Sequence, residues 1–146
     1  MLDRKNIGRI SKPHTVEVEK GRLKFFAKAI GETNPIYTDE SAARAAGYRS
    51  LPAPPTFSFS LDLEQDDPFG DLTEMGISLG KLLHGEQNFT YHAPICAGDT
   101  ITLQSKVVDI YDKKGGALEF LVQDYSLKNQ DGQLVAEMRR TLVVRN

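Results

Sequence analysis

At 146 residues, with 40% hydrophobic and 26% charged residues, the chain has the size and composition of one globular domain. A formal net charge of −2 without any basic run excludes a nucleic-acid footprint, and no apolar run reaches the roughly 18 residues of a membrane span. The single cysteine, Cys96, has no partner for an internal disulfide, and His14, His84 and His92 lack ligand spacing, so no metal site is expected.

The opening MLDRKNIGRI holds no apolar core of signal-peptide length, and a cytoplasmic protein is the expectation. Residues 1–14 are polar and basic and read as a loosely held lead-in to a short extended piece, His14 to Val18. Leu23, Phe26, Ala27 and Ile30 recur at i, i+3, i+4 and i+7, which predicts a helix with Gly31 just past its end. A second helix is expected over 39–46, capped by Thr38 or Asp39, filled with alanine and stopped by Gly47. The proline-dense Pro52-Ala53-Pro54-Pro55 makes a rigid approach to a third helix, Thr56 to about Leu63. Phe57 and Leu61 lie on one of its faces and Phe59 and Leu63 on another, so burial on more than one side is expected. Residues 64–80 are acidic and turn-rich and read as a long surface connection with a short helical piece around Leu72 to Met75.

From Lys81 the period changes to two. Gly85, Gln87, Phe89 and Tyr91 fall on one face of a strand, and His84, Glu86, Asn88 and His92 on the other. A second strand runs from Thr100 to Tyr111, with a change of face at Val107 and Val108 that marks a bulge. After the turn Lys113-Lys114-Gly115-Gly116, a third strand spans Ala117 to Leu127 with Leu118, Phe120 and Val122 in alternation. Asp131-Gly132 signals a hairpin into the last strand, Gln133 to Val144, whose apolar face is interrupted by Arg140. Helices followed by four antiparallel strands in a meander predict an α+β domain with the third helix across the sheet. Strands this long need a strongly curved sheet around a central helix, or a partner sheet.

One loop concentrates reactive side chains. Gly31-Glu32-Thr33-Asn34-Pro35-Ile36-Tyr37-Thr38-Asp39 places an acid, an amide and a phenol around a proline, between two helical patterns. Read only as local structure, Asn-Pro followed by Thr-Asp is turn and helix-start chemistry.

Three stretches in order, GETNPIYTDESAARAAGY (31–48), LPAPPTF (51–57) and HGEQNFTYHAPICAGDT (84–100), resemble the MaoC-like group of hot-dog proteins. That group contains (R)-specific enoyl-CoA hydratases and (3R)-hydroxyacyl-thioester dehydratases. The resemblance runs from about Val16 to Val144, and Ala-Pro-Pro-Thr-Phe is closest to the N-terminal, less active halves of two-domain members. It implies a hot-dog fold, an antiparallel sheet wrapped around a central helix, and water addition to or removal from an acyl thioester without a cofactor. In catalytic members a loop of pattern Asp-x-Asn-Pro-x-His moves the protons. Here the acid position is Glu32, the amide Asn34, the proline Pro35, and the histidine position is Tyr37. Histidine titrates at about 6.5 and works as acid or base near neutrality, whereas tyrosine titrates at about 10. Family members also polarise the thioester carbonyl with a backbone N–H at the start of the central helix. Pro55 falls at that donor position and has none; a shift of one residue would make Thr56 the donor.

The resemblance therefore implies a non-catalytic substrate-binding half, paired in a homodimer or heterodimer with a hot-dog chain that carries the chemistry. Two alternatives stand beside it: an active homodimer using Glu32 and Tyr37, and an acyl-thioester binding protein without catalysis. Tyr48, Arg49, Pro55, Thr56 and Phe57 are the expected substrate-side residues, Tyr48 and Phe57 as core or tunnel wall and Arg49 toward phosphate or pantetheine. His84 and His92, placed with Glu86 on one face, read as a hydrogen-bonded or solvated group, and Lys113-Lys114 as a solvated turn.

Overall fold

The computed structural model describes residues 1–146 and contains a single five-stranded antiparallel sheet. The strands are β1 (His14–Glu17), β2 (Leu82–Tyr91), β3 (Thr100–Lys113), β4 (Leu118–Lys128) and β5 (Leu134–Arg145), in the order β1-β3-β4-β5-β2. The helices are α1 (Lys20–Ala29), α2 (Glu40–Ala45), α3 (Phe57–Asp62) and α4 (Gly70–Glu74). This is the expected hot-dog arrangement, with α3 buried against the sheet through Phe57 and Leu61. No helix is long and apolar enough to cross a membrane.

The helix boundaries follow their punctuation. Gly31 and Gly47 adopt φ +71° and +95°, the left-handed conformation that glycine takes without steric cost. The Asp39 carboxylate accepts from the Ser41 and Ala42 N–H groups and caps α2.

The meander expectation is corrected at β2. Only β3, β4 and β5 follow one another; β2 lies at the far edge beside β5. The link after Tyr91 cannot fold back as a hairpin because its backbone is engaged elsewhere. Ala53 N–H donates to the Ile95 carbonyl, Ala97 N–H to Leu51, and Gly98 N–H to Val18. These bonds carry the chain across the end of the sheet and leave β2 with one unpaired edge.

Two bulges set the faces. The one in β3, between Val107 and Asp109, is the one the sequence marks. A second, between His84 and Glu86, overturns the expected alternation: His84 joins Gln87, Phe89 and Tyr91 on the inner face, away from Glu86. Gly85 sits at this shift. A Cβ there would stand 2.8 Å from Val143 Cγ2 and 3.1 Å from the Thr141 carbonyl oxygen. Gly85→Ala is expected to cost about 1–3 kcal/mol through this overpacking, read as a lower denaturant midpoint.

The inner face carries two apolar clusters. The larger joins Phe57 and Leu61 to Leu23, Leu103, Leu127 and Met138. The smaller sets Leu72 and Ile77 against Val107, Ile110, Leu121 and Leu142. Residues 64–80 carry the expected short helical piece, α4, and are anchored through Leu72 and Ile77, where a surface connection was expected. The lead-in is also held: Gly8 and Ser11 N–H groups bond to the Val107 and Ser105 carbonyls, extending the sheet edge along β3. On β4 the buried side is Leu121, Gln123, Tyr125 and Leu127. Phe120 and Val122 share the opposite side, where Phe120 stacks on Tyr111 at 4.7 Å.

The second buried face of α3 is polar. Leu63 is exposed, and Ser58 and Asp62 are buried in its place. Asp62 meets Arg140, the residue that interrupts the apolar face of β5, and the two form an ion pair at 3.1 Å.

Candidate functional site

The loop after α1 is built by its own side chains. Glu32 Oε1 accepts from the Thr33 and Asn34 N–H groups, each at 2.9 Å. Asn34 Oδ1 accepts from the Ile36 N–H at 3.2 Å and caps a single helical turn, Pro35–Tyr37. Both polar groups of the family-like loop thus hold the turn itself. What the turn delivers is Tyr37.

Tyr37 opens onto a pocket of about 340 Å³ with Tyr48, Pro55, Ser58, Tyr91 and His92. Half of its twelve lining residues are hydrophobic, which suits an apolar group bordered by hydrogen-bond donors. Burial pushes the Tyr37 phenol above its ordinary range, and the nearby Glu32 carboxylate and Tyr48 phenol push it further. The Tyr91 phenol is also raised by burial, against a hydrogen bond from the buried Ser58 hydroxyl. Both phenols stay protonated at neutral pH. They can donate hydrogen bonds to a carbonyl or hydroxyl oxygen, and neither can serve as a base there.

The other expected site residues divide. Tyr48 lines the pocket and packs on the core. Pro55 stands at the exposed rim and brings no N–H. The Thr56 N–H has no intramolecular acceptor, while the Phe57 N–H is spent on the Pro54 carbonyl at 2.9 Å. The Phe57 ring lies in the core, edge-on to Phe26 at 5.3 Å, and not on the pocket. The Arg49 guanidinium is committed to Asp99, whose carboxylate also accepts from the Cys96 N–H and the Gln130 amide. Arg49 thereby ties the link before β3 to the segment after α2.

Three lining residues with polar side chains were not among the expected site residues. Ser58 is one, on the polar buried face of α3. Tyr91 is another; its period-two spacing from Phe89, on which it stacks at 6.0 Å, was the available signal. The third is His92, which reaches Glu137 on β5 at 2.8 Å and no carboxylate of its own strand. His84 stacks on Phe59 at 5.0 Å and bonds to Gln87, outside this pocket. No three His, Cys, Asp or Glu side chains gather within reach of one metal ion.

Residues 5–138 match the family model for the FAS1-like dehydratase domain region. A UPF0336 protein of Saccharopolyspora erythraea is 34% identical over 145 residues, spanning 99% of this chain and 92% of the relative. A C-terminally truncated HadBC (3R-hydroxyacyl-ACP dehydratase) complex from Mycobacterium tuberculosis superposes with a TM-score of 0.78 at 27% identity, over 93% of this chain and 96% of that one. A MaoC-like dehydratase superposes with a TM-score of 0.83 at 21% identity, over 97% of this chain and 42% of the longer one.

Proposed function

Because the chain belongs to the FAS1-like dehydratase domain region family, whose fold is the MaoC-like hot dog, we propose that it is the substrate-binding half of an acyl-thioester hydratase or dehydratase. The partner is a hot-dog chain with an intact Asp-x-Asn-Pro-x-His loop. The carrying observation is the state of the loop: the Glu32 carboxylate is turned onto its own backbone, and the group at position 37 is a protonated phenol. A pocket of about 340 Å³ persists beside that loop, suited to shaping an acyl group while another chain moves the protons.

The unpaired edge of β2 supports the pairing. It ends at Tyr91, a pocket residue, so a partner sheet added there would close the pocket as it completes the ladder. The HadBC neighbour is itself described as a complex. The substrate is an acyl thioester on CoA or on an acyl carrier, and the reaction needs no further cofactor.

A second reading rests on His92, the one imidazole lining the pocket. In an active homodimer it would supply the neutral-pH base that position 37 lacks, with Glu137 holding its ring.

Crotonyl-CoA hydration, followed by loss of enoyl thioester absorbance, separates the two. The chain alone is expected to be silent. Mixed with a hot-dog chain bearing the intact loop, it is expected to support turnover that Glu32→Ala and Tyr37→Phe leave nearly unchanged. Turnover by the chain alone, falling about 10²-fold in His92→Asn, would overturn the substrate-binding role in favour of the second reading.

A further inference from the structure

Helix α1 is electrostatically set against itself. Lys20, Lys24 and Lys28 recur at i, i+4 and i+8 and form one exposed line along it. Like charges at that spacing disfavour a helix, and Lys20 stands at the N-terminal end, where the helix dipole disfavours a cation. No acidic residue lies between Lys20 and Gly31 to offset them. Glu40 pairs with Lys20 at 2.8 Å, and Glu64 with Arg22 at 3.0 Å. Lys24 and Lys28 have no carboxylate within ion-pair reach, and only Lys28, in the last turn, suits the dipole.

An apolar line runs beside the lysines. Gly21, Phe25 and Ala29, also four apart, are exposed. Phe25 is 74% exposed, while Leu23 and Ala27 on the other side of the helix are buried. The small residues one turn before and after it leave the Phe25 ring uncovered. At 1.5 Å per residue the lysine line is about 12 Å long. An extended anionic surface can engage it along its length, and a single phosphate cannot.

The place of α1 in the fold narrows the occupant. The helix runs through Gly31 directly into the turn that delivers Tyr37. No Lys or Arg lines the Tyr37 pocket, and Arg49 is held by Asp99, so the phosphates of a CoA nucleotide meet no free cation there. The free cations beside the loop are those of α1. A lipid surface fits them less well, because one protruding ring offers little apolar area for insertion.

We infer that the Lys24-Phe25-Lys28 face of α1 is the docking surface for an acidic acyl-carrier protein, which presents its thioester-bearing arm to the Tyr37 pocket. Carboxylates of the carrier pair with Lys24 and Lys28, and an apolar side chain covers Phe25. This rests on the substrate-binding role given above to the pocket, and it places the carrier's own surface, not a nucleotide, against this chain.

The test is titration calorimetry of the full chain with an acyl carrier protein lacking its prosthetic arm, with crotonyl-CoA as the pocket ligand and co-sedimentation with phosphatidylglycerol vesicles alongside. The arm-less carrier is expected to bind saturably. Lys24→Glu with Lys28→Glu is expected to weaken that binding about ten-fold or more, and Phe25→Ser to weaken it as well. Lys113→Glu with Lys114→Glu makes the same change in net charge on the 113–116 hairpin and is expected to leave it within about two-fold. Crotonyl-CoA affinity is expected to be the same in the α1 variants as in the unsubstituted chain. No saturable binding of the arm-less carrier, an equal loss in both lysine pairs, or α1-dependent binding of the vesicles in place of the carrier would overturn the assignment. Crotonyl-CoA reports on the pocket alone: its failure to bind would remove the substrate-binding role, while carrier binding lost only in the α1 variants would still establish the docking face.

Discussion

Arg140→Ala is expected to lower the unfolding free energy by about 3–5 kcal/mol, read as a lower urea midpoint with an unchanged slope. The variant leaves the Asp62 carboxylate in the interior without its counter-ion. Burial already pushes Asp62 above the ordinary carboxylate range, opposed chiefly by Arg140 and then by His14. Removing the arginine strengthens the upward push, which gives the loss a pH dependence. A carboxyl raised in the folded state is penalised only where it ionises. The part of the deficit that comes from the Asp62 charge is therefore absent at low pH, where the carboxyl is protonated in both proteins, and grows as pH rises from the folded value of the unsubstituted chain to the higher one of the variant. Replacing both partners by apolar residues of similar size, Asp62→Leu with Arg140→Met, removes the orphaned charge and is expected to recover most of the loss. A double variant as unstable as Arg140→Ala would show that the hydrogen bonds to Gln123 and Tyr125 carry the energy instead.

Phe57→Ala is expected to cost about 3–5 kcal/mol, because the ring is 2% exposed and its removal leaves a cavity between α1 and the sheet. The same measurement separates its two readings as tunnel wall and as core. Under conditions where the variant remains folded, affinity for an acyl thioester at the Tyr37 pocket is expected to match the unsubstituted chain. Tyr48→Ala, which opens the pocket wall, is expected to show the opposite pattern: a large loss of affinity with a smaller loss of stability. Loss of thioester affinity in folded Phe57→Ala would return the ring to the substrate path.

Much of the site could be seen in the residue order, and the reason is local. Asn34-Pro35 and Thr38-Asp39 specify a turn and a helix start within a few residues, so Tyr37 is delivered to its place by short-range chemistry. Tyr91, Ser58 and His92 joined it unannounced, since they come from another strand, another helix and the link beyond. Arg49 shows the converse. As a cation near a proline-rich approach it looked outward to a phosphate, yet a buried carboxylate fifty residues on claims it. The loop acid behaves alike: the type of residue at Glu32 was plain, but its commitment to the Thr33 and Asn34 N–H groups depends on a rotamer.

The elements whose signals lie within one turn or one strand pair were legible in the residue order. These are the helix punctuated by Gly31, the capped α2, the proline-led α3, the β3 bulge and the hairpins at 113–116 and 131–132. The fold set the place of β2 at the sheet edge, because hydrogen bonds with Leu51, Ala53 and Val18 divert the link that follows it. It also decided which faces are buried. A one-residue bulge at Gly85 moved His84 to the face of Gln87, Phe89 and Tyr91, since side chains alternate with a period of two. Likewise Asp62 and Arg140, seventy-eight positions apart, each look like a break in an apolar pattern when read singly. Packed face to face they satisfy one another, and that pairing is long-range chemistry no local window contains.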